Sequence, residues 1–152
     1  DDRERAVAFR QTDDGRLLLH WPSMAVVSEV PLPDFLARKD ATPRAMRVMG
    51  GWDDYFNGQF GDDSQYVCVR MHDLRMDHVF YGYIRLGSPA FAEAGRSRMP
   101  RKQSTPITVE LRFPEGARAA NQVEITRFIS TGWIPEDPAL EPALRRQAAA
   151  GK

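Results

Sequence analysis

Alternating apolar and polar positions recur along this chain and predict β-strands. The pattern is clearest over residues 107–113, where every second side chain is apolar: Ile107, Val109, Leu111 and Phe113. Residues 66–71 follow the same period, with Val67, Val69 and Met71 on one face. A period of two is what a sheet with one buried face requires.

Turn residues and prolines mark where the other strands begin and end. Thr12, Asp13, Asp14 and Gly15 supply the chemistry of a tight hairpin turn, because Asp and Gly readily adopt the backbone conformations that such turns need. The further strands that these signals predict cover residues 6–10, 16–21, 25–30, 79–86 and 123–129. An antiparallel sheet of about six or seven strands is expected.

Short helices are predicted between the strands and at the C-terminus. Residues 34–39 can form a short helix. Thr42 as an N-cap and Pro43 at the first helical position predict a helix that runs to Met49, with a strand over the same residues as the competing prediction. Residues 135–152 contain the Asp-Pro pair of a helix start and predict a helical tail.

The fold class expected from these elements is α+β, with a small β-barrel or sandwich as the alternative. A chain of 152 residues is the usual length of one domain. Residues 1–134 are expected to form a single β-rich domain, followed by the helical tail at 135–152. Residues 87–106 show no regular element beyond a turn, and we expect a long mobile loop there, because such loops are usually functional or disordered.

The composition limits which classes of partner and which cellular location are expected for the protein. Lys and Arg number 21 and Asp and Glu number 21, so no overall field draws the protein to nucleic acid or anionic lipid, and any such affinity needs a local patch. The single cysteine, Cys68, follows an apolar strand pattern and is interpreted as a small buried residue. No membrane-spanning run and no signal-peptide pattern is present, so a cytoplasmic location without membrane attachment is expected.

A cluster of basic residues in the long loop is the first candidate binding site. Its four cations are Arg96, Arg98, Arg101 and Lys102. Such side chains can bind phosphates through charge-assisted hydrogen bonds. The cluster therefore indicates nucleic-acid or nucleotide binding, which would be salt-sensitive because no aromatic residue is present for base stacking. A solvated loop is the competing interpretation.

Histidine and aspartate residues come together at the turn predicted before residues 79–86: His72, Asp73, Asp77 and His78. Imidazole and carboxylate groups suit zinc or another divalent ion, so this tip is a candidate metal site. The spacing matches no recognised metal motif, and aspartate is also an ordinary turn residue.

Aromatic residues form the candidate protein interface: Trp52, Tyr81, Tyr83 and Trp133. Tyr81 and Tyr83 share a face of residues 79–86 that is opposite Phe80, which makes this strand apolar on both faces. A face left uncovered would be the kind of patch that protein interfaces favour. Coverage by helices of the chain itself is the competing interpretation.

The leading functional hypothesis is a non-enzymatic protein–protein interaction or assembly module that binds a partner or self-associates. Nucleic-acid or nucleotide binding through residues 96–102 is the second hypothesis, and a metal-dependent enzyme is the third. The chain contains no glycine-rich phosphate loop, nucleophile elbow, dinucleotide fingerprint or zinc-ligand cysteine pair. No cofactor is therefore assigned, and the balance is against an enzyme.

Overall fold

The computed structural model of the protein describes residues 9–19, 28–97 and 99–134. Within these ranges the chain forms strands, two α-helices and one short 3-10 helix at Gly58–Phe60. The elements are, in chain order, β1 (Phe9–Gln11), β2 (Leu17–Leu19), α1 (Leu32–Arg38), β3 (Arg44–Asp53), β4 (Tyr66–His72), β5 (Val79–Arg85), α2 (Pro89–Arg96), β6 (Thr105–Arg112) and β7 (Gln122–Thr131).

Five of these strands form a closed barrel in the order β3-β4-β5-β7-β6. The β5–β7 pair is parallel, and the other neighbours are antiparallel. A five-stranded Greek-key barrel is the architecture of OB-folds. The expected mixed α+β fold is thus confirmed, in the form of a barrel. The barrel sheet has five strands, fewer than the six or seven expected, because β1 and β2 form a separate two-stranded sheet.

The barrel interior is filled by the apolar side chains that alternate along its strands. They include Met46, Val48, Val69, Met71, Phe80, Ile84, Ile107, Val109, Leu111, Val123 and Ile125. Helix α1 adds Phe35, whose ring centroid lies 5.3 Å from that of Phe113. Helix α2 packs against β5 and β7, and its Glu93 carboxylate accepts a hydrogen bond of 3.2 Å from the backbone amide of Phe128. That amide lies where the β6–β7 register shifts.

The helix predicted from Thr42 to Met49 is wrong, and the competing strand is right from Arg44 onwards, since residues 44–49 lie in β3. Capping residues favour a helix locally, but pairing with both β4 and β6 decides the conformation. Met46 and Val48 then face the core, as a period of two requires. The helix predicted at residues 34–39 is confirmed as α1.

The stretch 87–106, expected to lack regular structure, contains α2. Ser88 caps this helix by accepting a hydrogen bond of 3.2 Å from the amide of Phe91, and Pro89 follows at the first helical position. The helix is amphipathic, but it has only 8 residues and its buried side chains are the small ones of Ala90 and Ala94, which explains why the pattern missed it. Met99 is buried beyond the helix. Mobility of the stretch stays a prediction.

The hairpin predicted around residues 12–15 is confirmed as β1 and β2. The amide of Thr12 donates to the carbonyl oxygen of Arg16 and the amide of Gly15 donates to that of Thr12, both at 2.8 Å. Gly15 has a φ of 82°, which favours glycine. The expected tail at 135–152, residues 6–8 and 20–27 of the expected strands, and Arg98 lie outside the described residues. Residues 28–30, expected as the end of a strand, form no strand.

No helix among the described residues is both long enough and apolar enough to cross a membrane.

Candidate functional site

The outer face of β4 and β5 carries paired polar and aromatic side chains. Arg70 lies opposite Tyr81, and Cys68 lies opposite Tyr83. Their neighbours along each strand, such as Val69 and Phe80, belong to the barrel core, so these four side chains point outwards.

An aromatic loop at residues 54–65 covers part of this face. The ring of Phe60 stacks on Tyr83, with 4.2 Å between centroids and 5° between planes. Tyr66 meets Phe60 edge-on at 5.1 Å. Tyr55 stacks on Tyr81 with 4.3 Å between centroids, and Tyr55 remains 38% exposed. The loop therefore buries one tyrosine of β5 and leaves a stacked tyrosine pair at the surface.

Hydrogen bonds attach the loop backbone to the barrel. The Tyr83 hydroxyl donates to the carbonyl oxygen of Tyr55 at 2.9 Å. The side-chain amide of Gln122, on β7, donates to the carbonyl oxygen of Asn57 at 3.0 Å and to the Tyr83 hydroxyl at 3.1 Å. Burial raises the pKa of Tyr83 well above its usual value, and burial raises the pKa of Cys68 to about 12. Both groups are therefore neutral near pH 7 and are poor nucleophiles.

A cleft of about 330 Å³ opens beside this covered area, between β3, β4 and the segment that leads into β6. Its lining is Gly51, Trp52, Asp53, Asp54, Arg70, Lys102, Gln103 and Ser104. The segment is held by backbone hydrogen bonds on both sides of Trp52, from its amide to Pro100 at 3.0 Å and from the Lys102 amide to its carbonyl at 3.1 Å.

The close approach of this segment depends on Gly51. A Cβ atom at this position would lie 2.0 Å from the carbonyl oxygen of Gln103, which is far inside van der Waals contact. Only glycine therefore allows residues 100–104 to cross β3 at this point and to place Lys102 in the same cleft as Arg70.

Opposite charges line the cleft without pairing. Arg70 and Lys102 make no side-chain hydrogen bond or ion pair with any residue that the structure describes. Asp54 likewise has no side-chain partner in these ranges, and the Asp53 carboxylate accepts only the amide of Asp54, at 2.7 Å. The cleft thus presents two free cations and two carboxylates to solvent.

The structure separates the basic cluster predicted from the sequence. Arg96 ends α2, and Arg101 forms an isolated bridge with Trp52. Both side chains are exposed, as is that of Lys102. Of the four predicted residues, only Lys102 lines the cleft, and Arg98 lies outside the described residues. Nucleic-acid binding by this cluster stays a prediction.

The aromatic residues predicted as an interface do not form one exposed patch. Tyr83 is fully buried and Trp133 is 8% exposed, so neither offers surface to a partner. The indole of Trp133 donates to the carbonyl oxygen of Val48 at 3.2 Å. Trp52 and Tyr81 are half-buried. The competing interpretation, coverage by the chain itself, holds for Tyr83, which is covered by Phe60 of the short 3-10 helix in the loop.

Exposed apolar side chains lie elsewhere, and mainly on the separate hairpin. Phe9, Leu17, Leu18 and Leu19 are each exposed by 50% or more. Leu74 and Met76, in the turn between β4 and β5, are exposed to a similar extent.

The residues of the predicted metal site have other partners. The ring nitrogens of His72 contact the Ser104 hydroxyl at 2.7 Å and the carbonyl oxygen of Asp73 at 2.6 Å. The Asp73 carboxylate pairs with His78 at 3.0 Å and accepts the amide of Asp77 at 2.8 Å. Across the described part of the chain, no group of three or more His, Cys, Asp and Glu side chains is placed to hold a metal. The metal-enzyme hypothesis therefore gains no support from this part of the chain.

No family model, curated protein or solved structure matches this chain. A function therefore has to be inferred from the surface itself. Two residues of that surface, Arg70 and Tyr55, were missed from the sequence. Arg70 is detectable, since it alternates with Val69 and Met71 and must point away from the core. The position of Tyr55 has no local signal, because it depends on how the loop folds over β5.

Proposed function

We propose that the protein is a non-enzymatic binding module whose ligand is a single-stranded nucleic acid, bound across the outer face of β3, β4 and β5. The observation that carries the proposal is the juxtaposition of a stacked tyrosine pair with two cations that have no side-chain partner among the described residues. Arg70 lies directly opposite Tyr81 in the sheet and shares the cleft with Lys102.

Each part of this surface has a distinct role in the proposed complex. Arg70 and Lys102, which have no protein partner in the described structure, bind backbone phosphates. The exposed side of Tyr55 extends the stack on Tyr81 by one base. Basic grooves with stacking aromatics are how proteins bind single strands with little sequence preference. A single strand is favoured over a duplex because its bases are free to stack on a protein ring.

Asp53 and Asp54 limit this binding. Their carboxylates line the same cleft and repel phosphates, which agrees with the zero net charge of the chain. Affinity is therefore modest and depends on the salt concentration. The acidic wall also confines the strand to the side of the cleft formed by Arg70 and Tyr81.

Fluorescence anisotropy with a labelled dT oligomer of about 15 nucleotides, enough for the site of one such barrel, tests the proposal. The double variant Arg70→Ala/Lys102→Ala is expected to bind more weakly, with a log–log salt slope shallower by about 0.7 per lost phosphate contact. Arg127→Ala is the matched control, because Arg127 is exposed on β7 and does not line the cleft. A wild-type protein that binds no oligomer at low salt contradicts the proposal.

A second candidate function, protein–protein interaction, is favoured by the hairpin of β1 and β2. Every residue of β2 is an exposed leucine, and this hairpin is not part of the barrel. Isolated two-stranded hairpins are marginally stable in water, and contiguous exposed apolar groups mark interaction sites. Docking of the hairpin against a partner or a second copy would bury these leucines.

A further inference from the structure

We propose that Phe60 is an intramolecular plug, occupying a stacking site on Tyr83 that a carbonyl-bearing nucleobase takes when residues 57–64 of the loop open. This inference rests on the proposed function, and it adds a second base site that the closed loop hides. The inference is drawn from the parallel stack of Phe60 on Tyr83, which lies on the same outer face of β5 as Tyr81.

The site has the shape of a slot for a flat ring. Tyr83 forms its floor, parallel to the occupying ring within 5°, and Tyr66 forms a wall at 87° to it. Offset-stacked and edge-on contacts of this kind are favourable for any aromatic ring. Bases stack on protein aromatics through the same π-faces. A base can therefore replace the Phe60 ring with little change in the slot.

Hydrogen-bond donors at the slot match the carbonyl groups of a base. In the closed state, the Tyr83 hydroxyl and the Gln122 amide donate to the carbonyl oxygens of Tyr55 and Asn57. Gln122 is 5% exposed, so the amide hydrogen that Asn57 accepts needs another acceptor once the loop leaves, whereas the hydrogen bond to the Tyr83 hydroxyl can remain. Thymine and uracil each carry two carbonyl oxygens, and adenine carries none. A base carbonyl can therefore replace the loop carbonyl as the hydrogen-bond acceptor, which predicts a preference for thymine or uracil over adenine.

One hydrogen bond that the structure describes ties residues 57–64 to the barrel, from the Gln122 amide to Asn57. This segment also forms backbone hydrogen bonds of its own, from Phe60 to Asn57 and from Gly61 to Gly58. The bonds that Tyr55 and Gln65 accept from Tyr83 and Leu86 lie outside it. Asp62 caps the following turn by accepting from the amide of Ser64 at 3.0 Å. Between residues 54 and 65 only Phe60 is buried. Opening of residues 57–64 therefore requires the withdrawal of the Phe60 ring and the loss of that one hydrogen bond, while Tyr55 stays stacked on Tyr81.

Phe60→Ala removes the plug and tests the inference by anisotropy with the same dT oligomer. The variant is expected to bind about five- to tenfold more tightly than the wild type, because one ring stack no longer competes. It is also expected to prefer dT over dA. Phe56→Ala is the matched control, since the Phe56 ring lies in the same loop but is tilted at 52° to Tyr83 with 6.4 Å between centroids. Its affinity is expected to stay near that of the wild type.

Hydrogen exchange of the wild-type protein gives a second measurement that needs no variant. With dT bound, amides at residues 57–61 are expected to exchange faster, because the loop leaves the barrel. Slower exchange there on binding overturns the plug, as does a Phe60→Ala variant that binds no more tightly than a wild type that does bind. In both cases the proposed function stands. If neither wild type nor variant binds any oligomer, the proposed function fails and the plug fails with it.

Discussion

The rings of Phe60 and Tyr83 lie parallel, with 4.2 Å between their centroids. One of them belongs to a surface loop and the other to the outer face of a barrel strand. Cys68, the only cysteine of the chain, belongs to the same buried cluster and is 1% exposed. The chain therefore contains a natural thiol reporter for the position of the loop.

The first prediction concerns access to that thiol. We expect Cys68 of the folded protein to react with a disulfide reagent far more slowly than in the urea-unfolded chain, because the loop covers it. Gln122→Ala removes the hydrogen bond to Asn57 and is expected to speed the reaction several-fold. Thr126→Ala, on the same strand, is the control. Equal rates in wild type and Gln122→Ala, measured by absorbance, would show that this bond does not hold the loop closed.

The second prediction is a loss of stability at alkaline pH. Burial raises the pKa of Cys68 from 9.0 to about 12, so the folded state holds the proton more tightly than the unfolded state. The resulting stability is complete below pH 9.0 and is lost as the pH rises towards 12. Urea unfolding in reducing buffer is expected to show this fall, and Cys68→Ala should make it shallower. A variant with the same pH profile as the wild type contradicts the assignment to Cys68.

The third prediction tests the close crossing at Gly51. Gly51→Ala is expected to destabilise the protein by about 2 kcal/mol, because a Cβ atom forces the backbone of Gln103 to shift. Gly95→Ala, in α2, is the matched control, since its Cβ meets nothing within 4 Å. This control is expected to gain about 0.5–1 kcal/mol from helix propensity. Equal free energies of unfolding for the two variants would mean that residues 100–104 can shift to accommodate the Cβ atom at little cost.

The fourth prediction concerns the acidic wall of the cleft. Asp53→Asn and Asp54→Asn are expected to raise affinity for the dT oligomer by about twofold each, because each removes a partly screened repulsion worth ~0.5 kcal/mol. The gain should shrink at high salt. Asp63→Asn, in the same loop but outside the cleft, should have little effect on anisotropy titrations. Unchanged affinity for both cleft variants would mean that the bound dT oligomer does not lie near Asp53 and Asp54.

The fifth prediction tests the hairpin. If β1 and β2 mediate self-association, sedimentation velocity across a concentration series should show association for the wild type. The double variant Leu17→Ser/Leu19→Ser is expected to abolish it, because these exposed leucines lie on one face of the hairpin. Leu74→Ser, in a turn of the barrel, is the control. A wild type that stays monomeric at every concentration removes self-association and leaves only docking to another protein.

The sequence alone determined most of the strands and the chemistry of the turns. Period-two patterns predicted β4, β6 and β7, because buried and exposed side chains alternate along each of these strands. Turn signals and aromatic and β-branched residues predicted β5. Asp and Gly in residues 12–15 predicted the first hairpin for an equally local reason. The Ser88–Pro89 cap of α2 was also present in the sequence, although the small residues that follow it concealed the helix.

The tertiary structure alone decided how those strands close and what their outer faces meet. The parallel pairing of β5 with β7 joins segments about 40 residues apart, and no local pattern specifies it. The positions of Arg70 opposite Tyr81 and of Phe60 on Tyr83 follow from that register and from the path of one loop. The sequence could not decide whether Tyr83 is exposed or buried for the same reason. Its aromatic side chain is suited both to a partner's surface and to the chain's own loop, and only the folded chain brings the loop onto it.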